Sequence, residues 1–204
     1  PRHDGGQGGL GSQGHGDLLG HEERFLLMSR NAQRGISLIE VMIAVVIIGI
    51  VMALGMPAYS TWIQNTQIRT AAESILAGLQ TARNEAIRRN AAVQFKLDGA
   101  GTTQWRVNFF SDPDANPLQS RPAEEGSPNA TITTTPGDAN TVTFSALGRV
   151  IPNADASPSL TAVLVDNLLI AVAADRRALQ IDIPAGGAIR LCDPKVLAGD
   201  PRAC

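Results

Sequence analysis

Residues able to do acid–base chemistry are few in this sequence, and they form no constellation that would support catalysis. Asp112 and Asp114, like Glu124 and Glu125, have the spacing of paired carboxylates, but they lie among prolines with no basic or apolar frame to separate their pKa values. The three histidines all precede Leu27. The sequence therefore favours a protein that is not an enzyme, with no metal site, no cofactor and no small-molecule substrate.

A different chemistry is indicated by Glu40, the one charged residue between Ile36 and Ile63. The run from Val41 to Met56 contains only apolar residues and Gly, enough as a helix to cross a hydrocarbon core of about 30 Å. A carboxylate in such a helix costs about 2.5 kcal/mol or more at the bilayer centre, so by default it has a functional positive partner. The alternative is a Glu40 that lies at headgroup level without a function.

Two features flank or interrupt this apolar helix. Pro57 has no N–H and clashes with the carbonyl four residues back, so we expect a kink or local melting near Ala53. Arg30 and Arg34 precede the run, and no long positive loop follows it. We therefore expect the N-terminus in the cytoplasm.

The segment Gly35-Ile36-Ser37-Leu38-Ile39-Glu40 resembles the cleavage and methylation signature of type IV pilins and type II secretion pseudopilins. That signature is a basic leader ending in Gly, an apolar first mature residue, for which the family prefers Phe, and Glu as the fifth. Pro57 falls where the family often has a helix-bending proline. The resemblance implies cleavage between Gly35 and Ile36 by a prepilin peptidase, N-methylation of Ile36, and pairing of Glu40 with the Ile36 amine of a neighbouring subunit.

The cleavage point divides the chain into a leader and a mature protein. In the leader, 1–35, residues 1–27 are Gly-rich and aperiodic, as in disorder or a wrongly assigned start, while 28–35 form a short basic prepilin leader. Translation is expected to start at Met28. The mature chain then has no histidine.

Beyond the membrane or filament-core helix, 36–60, an amphipathic helix is predicted for 61–90. Its stripe recurs at alternating intervals of four and three at Ile68, Ala72, Ile75, Leu79, Ala82 and Ala86. Asn90 is a plausible terminator. Arg83, Arg88 and Arg89 could form a nucleic-acid patch, but a solvated helix end is favoured because Glu85 is their neighbour.

The period changes to two in the remainder, 91–204, which we expect to be β-rich and globular. Strands are predicted at 91–97, 104–110, 141–144, 168–173, 179–183 and 188–192. Residues 98–101 are a hairpin turn, and 111–140 is too Pro-rich for continuous sheet. The expected fold class is α+β: a long N-terminal helix packed through its amphipathic half on an antiparallel sheet, in one piece or as two small sheets.

Two C-terminal passages narrow the family. Residues 141–149, TVTFSALGR, are similar to a strand and Gly-Arg turn of the FimT/GspH group of minor pilins and pseudopilins, and 179–192 are similar to its last hairpin. This resemblance implies a pilin-like fold and a minor pilin of a type IV pilus, in a tip or priming complex. A GspH-like pseudopilin of type II secretion is the alternative. The implied partners are the prepilin peptidase, major and minor pilins and inner-membrane lipid, with the C-terminal domain in the periplasm and later at the cell surface.

A third reading is a DNA-binding pilin for natural transformation, because FimT members resemble DNA receptors with a Gly-Arg-any-Arg motif. Here Gly187-Ala188-Ile189-Arg190 keeps only the second arginine. Other cations could replace the lost charge, although four nearby aspartates oppose them. The candidate DNA-binding residues are Arg190, Arg176, Arg177, Lys195 and Arg202.

The two cysteines, Cys192 and Cys204, both lie in the last thirteen residues. In a chain exported to an oxidising compartment they are expected to form a terminal disulfide, and two free thiols are the alternative. The bond should hold the loop between them over the sheet edge near Arg190, with Lys195 and Arg202 on one surface.

Overall fold

The structure is a computed structural model that describes residues 35–112 and 116–204. The predictions for the leader before Gly35 and for Asp114 lie outside the described residues. Of the described residues, 35–43 belong to one unit and Ala44–Cys204 to a second.

A long helix, α1, spans Leu38–Arg89. In the first unit, the amide of Val41 donates a hydrogen bond to the carbonyl of Ser37, 3.2 Å away, and Glu40 lies in the first helical turn. A carboxylate there interacts favourably with the positive end of the helix dipole. All side chains from Gly35 to Ile43 are exposed.

Within the second unit, α1 changes from fully exposed to half-buried. Every residue from Ala44 to Ser60 is exposed, whereas all six residues of the predicted stripe are completely buried. The stripe is thus confirmed. The helix continues without a break through Pro57, so the expected local melting near Ala53 is wrong, and a kink there stays a prediction.

The end of α1 follows the expected chemistry. Asn90 has a positive φ of 50°, and its amide donates to the carbonyl of Ile87. The amide of Ala91 donates to the carbonyl of Ala86. This pair of bonds is a Schellman motif, in which Asn tolerates the left-handed position, so Asn90 is confirmed as the terminator.

The described residues contain nine strands, β1 Val93–Leu97, β2 Trp105–Phe109, β3 Gln119–Arg121, β4 Thr131–Thr135, β5 Thr141–Phe144, β6 Val150–Ile151, β7 Ala162–Asp166, β8 Leu179–Asp182 and β9 Arg190–Cys192. They form two antiparallel sheets. The first has five strands in the order β3-β2-β1-β5-β6 and the second has four in the order β4-β7-β8-β9.

Five of the six predicted strands are present, some shortened at their ends, and the hairpin turn at 98–101 joins β1 to β2 as expected. The strand predicted at 168–173 is wrong: these residues form a turn and the start of a short 3₁₀ helix, Ala173–Asp175. The neighbouring strand is β7, where Val163 and Val165 are buried. The Pro-rich segment contains β3 and β4, separated by turns.

The two sheets cover the buried stripe of α1 and share one core with it. Contact is close at Gly78, where an added Cβ would lie 2.8 Å from Cε2 of Phe95 and 3.0 Å from the Trp105 ring. The Trp105 indole N–H also donates to Oγ of Ser74, 2.9 Å away. The structure is therefore α+β, with the amphipathic half of the helix packed on antiparallel sheets.

Candidate functional site

The predicted processing residues Gly35 and Ile36 are exposed, and they precede the first helical turn. An added Cβ at Gly35 would meet no atom within 4 Å. The backbone on both sides of the expected cleavage point is thus open within its own unit. Glu40 is also exposed there, so its carboxylate is available to a partner.

The apolar part of α1 is an uncovered surface of the second unit. Its large side chains from Val45 to Met56 are all more than half exposed. The part of α1 that is long and apolar enough to cross a membrane has none of its residues buried. Such a surface needs lipid or other apolar helices around it, because exposed apolar area costs about 25 cal/mol per Å² in water.

Three of the five candidate DNA-binding residues are paired with an aspartate. Nη2 of Arg190 lies 3.1 Å from Asp182, Nη1 of Arg176 lies 3.6 Å from Asp166, and Nη2 of Arg202 lies 2.9 Å from Asp200. Hydrogen bonds from the Arg202 side chain and backbone lower the pKa of Asp200 to about 2. These three positive charges are therefore locally balanced.

The other two candidates lie beside α1 and the 3₁₀ helix. Nζ of Lys195 donates to the carbonyls of Ala173 and Arg176, each 2.7 Å away. The Arg177 amide donates to Oδ1 of Asn65, 2.8 Å away, and its side chain is exposed. Different groups hold Lys195 and Arg202, and their expected common surface stays a prediction.

The terminal disulfide is present and joins Cys192 to Cys204, as expected. Cys192 ends β9, the edge strand of the second sheet, and is buried. Next to it, the amide of Asp193 donates to the carbonyl of Arg202, 2.7 Å away. Residues 202–203 therefore pair in parallel with Asp193, directly after β9.

A contact between two turns was not foreseen from the sequence. An added Cβ at Gly187 would lie 1.9 Å from the carbonyl oxygen of Gly148, so only Gly fits there. Nε of Arg83 donates to the same oxygen, 3.1 Å away. The glycine of the Gly-Ala-Ile-Arg segment thus packs the last hairpin against the Gly148-Arg149 turn, which is a structural role. The only sign of this contact in the sequence was the presence of glycines in both turns.

The end of α1 is a solvated helix end, in line with the favoured interpretation. Glu85 accepts hydrogen bonds from Arg88 and Arg89, each through a contact of 2.6 Å. These bonds lower the pKa of Glu85. Arg89 also lies over the ring of Phe109, 5.1 Å from its centre. Arg88 is thus engaged within the helix, and Arg89 is engaged both there and by a ring of β2.

Within the part of the chain that the structure describes, no three His, Cys, Asp or Glu side chains are grouped closely enough to hold a metal ion. Asp112 is exposed and forms an isolated bridge with Phe109, and Glu124 and Glu125 are exposed on a turn. The groups on which a function can be built are therefore the processing segment, the uncovered apolar helix and the disulfide-bounded C-terminal region.

Comparison with known families agrees with this organisation. Residues 30–56 match the prokaryotic N-terminal methylation motif, which makes the chain a type IV pilin-like protein. Residues 71–193, more than half of the chain, match the family described as type II transport protein GspH. The chain belongs to this GspH family of minor pilins and pseudopilins.

Individual relatives are similar over part of their length. Two fimbrial proteins of Pseudomonas aeruginosa are each 46% identical over 98 residues, which cover 40% of this chain and 63% of theirs. A crystal structure of the type IV minor pilin FimU of P. aeruginosa is 20% identical, with a TM-score of 0.46 over 60% of this chain and 90% of that one. The solution structure of E. coli GspH is 22% identical, with a TM-score of 0.41 over 69% and 94%.

Proposed function

We propose that this chain is a minor pilin of a type IV pilus. It is inserted in the inner membrane through the apolar part of α1, with residues 91–204 in the periplasm. A prepilin peptidase cleaves it after Gly35, Ile36 is methylated, and the mature chain enters the pilus in a tip or priming complex. The observation that carries the proposal is the helix with one buried half and one uncovered apolar half.

The uncovered half suits both stages of such a life cycle. Lipid covers the side chains from Val45 to Met56 before assembly, and the equivalent helices of neighbouring subunits cover them afterwards. The globular part keeps its own core, so the chain can move from one environment to the other without refolding. The fimbrial relatives, 46% identical over their matched part, favour a pilus.

Glu40 has the assembly role in this proposal. Its carboxylate pairs with the methylated Ile36 amine of a neighbouring subunit, in a low dielectric where the pair sets the register rather than the bulk stability. Removing one member would leave the other charge buried without a partner, which typically costs about 3–5 kcal/mol.

The test compares three variants by immunoblotting of membranes and of sheared pili. We expect Gly35→Val to accumulate uncleaved, and Glu40→Ala to be cleaved but excluded from pili. Glu73→Ala is the matched control, because Glu73 is exposed and pairs only with Arg69 on the same helix within the described residues. Normal incorporation of Glu40→Ala would refute the role of Glu40, and normal processing of Gly35→Val would refute the cleavage site.

A pseudopilin of type II secretion is the second candidate, favoured by the name of the matching family. Deleting the gene separates the two: loss of surface pili with normal protein secretion supports the pilus, and the reverse supports secretion. DNA binding is less favoured, because the aspartate partners of Arg190, Arg176 and Arg202 reduce the unbalanced positive charge on which phosphate binding depends.

A further inference from the structure

We propose that the loop between β7 and β8, residues 167–175, is a second membrane contact, which rests on the phospholipid bilayer beside the emerging helix. Leu168, Leu169 and Val172 enter its interfacial region. The inference rests on the membrane insertion proposed above and adds a contact made by the globular domain itself.

The first observation is the exposure of the loop's apolar side chains. Leu168 and Leu169 are each 65% exposed and Val172 is 56% exposed, whereas Ile170 between them is 4% exposed. One residue of the run is therefore sufficient to fix the loop to the core. The other three form an apolar patch that the fold of this unit does not use.

The loop is held in place, so this exposure is not a frayed end. Asn167 is buried, and its Nδ2 donates to Oε1 of Gln64, 2.6 Å away, while its Oδ1 accepts from the amide of Leu169. At the far end, Nδ2 of Asn65 donates to the carbonyl of Asp175, 2.9 Å away. Two successive residues of α1 thus tie down both ends of the loop.

These ties place the loop where the apolar run of the helix ends. Leu169 and Val172 line one cleft together with Pro57 and Thr61 of α1. A bilayer that covers the apolar side chains up to Met56 therefore has its surface at the level of this cleft. Tyrosine and tryptophan rings are enriched at the membrane–water interface, and apolar side chains next to polar groups also bind there.

Aromatic residues of α1 mark the same level. Tyr59 and Trp62 are both exposed, with ring centres 6.0 Å apart. Tyrosine and tryptophan are enriched at membrane–water interfaces, where the ring meets the acyl boundary and the polar atom meets water. The two rings therefore mark the depth at which the apolar run of α1 ends, and Trp62 lines a separate cleft of the same unit with Arg177 and Asp193.

Charges around the patch are compatible with phospholipid headgroups. Arg176 and Arg177 follow the loop directly, and Nζ of Lys195 is bound to carbonyls at its end. Asp166 balances Arg176, and Asp175 is exposed in the loop. The remaining cations can interact with anionic headgroups. Residues that the sequence indicated as a DNA surface thereby have a role at the membrane.

The experiment measures the depth of a fluorescent probe on the full-length chain in vesicles of phosphatidylcholine with a quarter phosphatidylglycerol. An NBD group is attached under non-reducing conditions at Leu168→Cys, since both native cysteines are held in the disulfide. We expect blue-shifted emission and quenching by lipids that carry a nitroxide near the headgroup. Leu147→Cys is the matched control: Leu147 is 81% exposed and adjoins Gly148, which packs on Arg83 and Ile87 near the other end of the helix.

A third probe at Val46→Cys separates the two proposals. If lipids with a deeper nitroxide quench the probe at Val46 but not the probe at Leu168, the loop contact is overturned and membrane insertion stands. The same conclusion follows if the Leu168 probe is shielded only by neighbouring subunits. No quenching at Val46 overturns insertion and the loop contact together. Equal quenching at Leu168 and Leu147 also overturns the inference, because it shows adsorption without a defined face.

Discussion

Substituting Gly187 with Ala tests whether the last hairpin needs its close contact with the Gly148 turn. Gly187 has a φ of +79°, where an L side chain costs about 1–2 kcal/mol. The new Cβ would also lie 1.9 Å from the Gly148 carbonyl oxygen, far inside ordinary contact, and that oxygen is a backbone atom that no side-chain rotation can move away. Relief requires the two turns to separate, and overpacking of this kind costs about 1–3 kcal/mol.

The two effects together predict a loss of about 2–5 kcal/mol, a large share of the roughly 5–15 kcal/mol that stabilises a typical domain. The hydrogen bond from Arg83 to the Gly148 carbonyl would be displaced as well. In thermal unfolding followed by circular dichroism, at about 2–4 °C per kcal/mol, the midpoint should fall by about 4–20 °C.

Gly186→Ala is the matched control for this substitution. Gly186 is adjacent in the same turn, has no atom within 4 Å of an added Cβ and has no positive φ. Its variant should unfold within about 0.5 kcal/mol of the wild type, as surface substitutions usually do. Equal stability of the two variants would refute the reasoning, because it would show that the fold does not require glycine at position 187.

Arg202→Gln should raise the pKa of Asp200 from about 2 toward its ordinary 3.8, measurable by NMR titration of the carboxyl group. The depressed pKa contributes stability above pH 3.8 that is lost as the pH falls through about 2, so the wild type should lose more stability than the variant in that window. Cys204→Ser should lower the free energy of unfolding, measured by urea denaturation, by about 3 kcal/mol. A reductant should lower the stability of the wild type to that of the variant and leave the stability of the variant unchanged. Ile75→Ala should cost about 2–5 kcal/mol because the side chain is fully buried, whereas the half-exposed Ile87→Ala should cost less than about 1 kcal/mol in the same assay.

The helix was predictable because its signals are local. A stripe at intervals of three and four residues can be buried only along one face of a helix, and all its members from Ile68 to Ala86 are buried. Asn90 is a terminator through its own backbone tolerance, without help from distant residues. The hairpin of β1 and β2 follows in the same way from the turn that joins them.

The wrong strand at 168–173 has a physical cause. Apolar residues predict burial, yet Leu168 and Leu169 are exposed, so composition favoured a strand where the fold has an uncovered loop. The real strand β7 is shorter and alternates correctly, with Val163 and Val165 inside. Likewise, the threonines of β4 lie among prolines, and only their pairing with β7 makes them a strand.

The pairing of the C-terminal cations could not be predicted from the sequence. The residue counts show only that aspartates nearly balance these cations as a group, whereas the structure shows which aspartate pairs with which cation. Arg190 pairs with Asp182 across the β8–β9 ladder, because antiparallel register places these two residues opposite each other. Arg202 pairs with Asp200 through a turn that the disulfide closes. Nζ of Lys195 donates to backbone carbonyls at the end of the apolar loop instead of to a carboxylate. Arg177 and Lys195 lie on this face together with Asp175 and Asp193, so the face presents exposed leucines with nearly balanced charge. A phospholipid surface matches that combination better than a polynucleotide does.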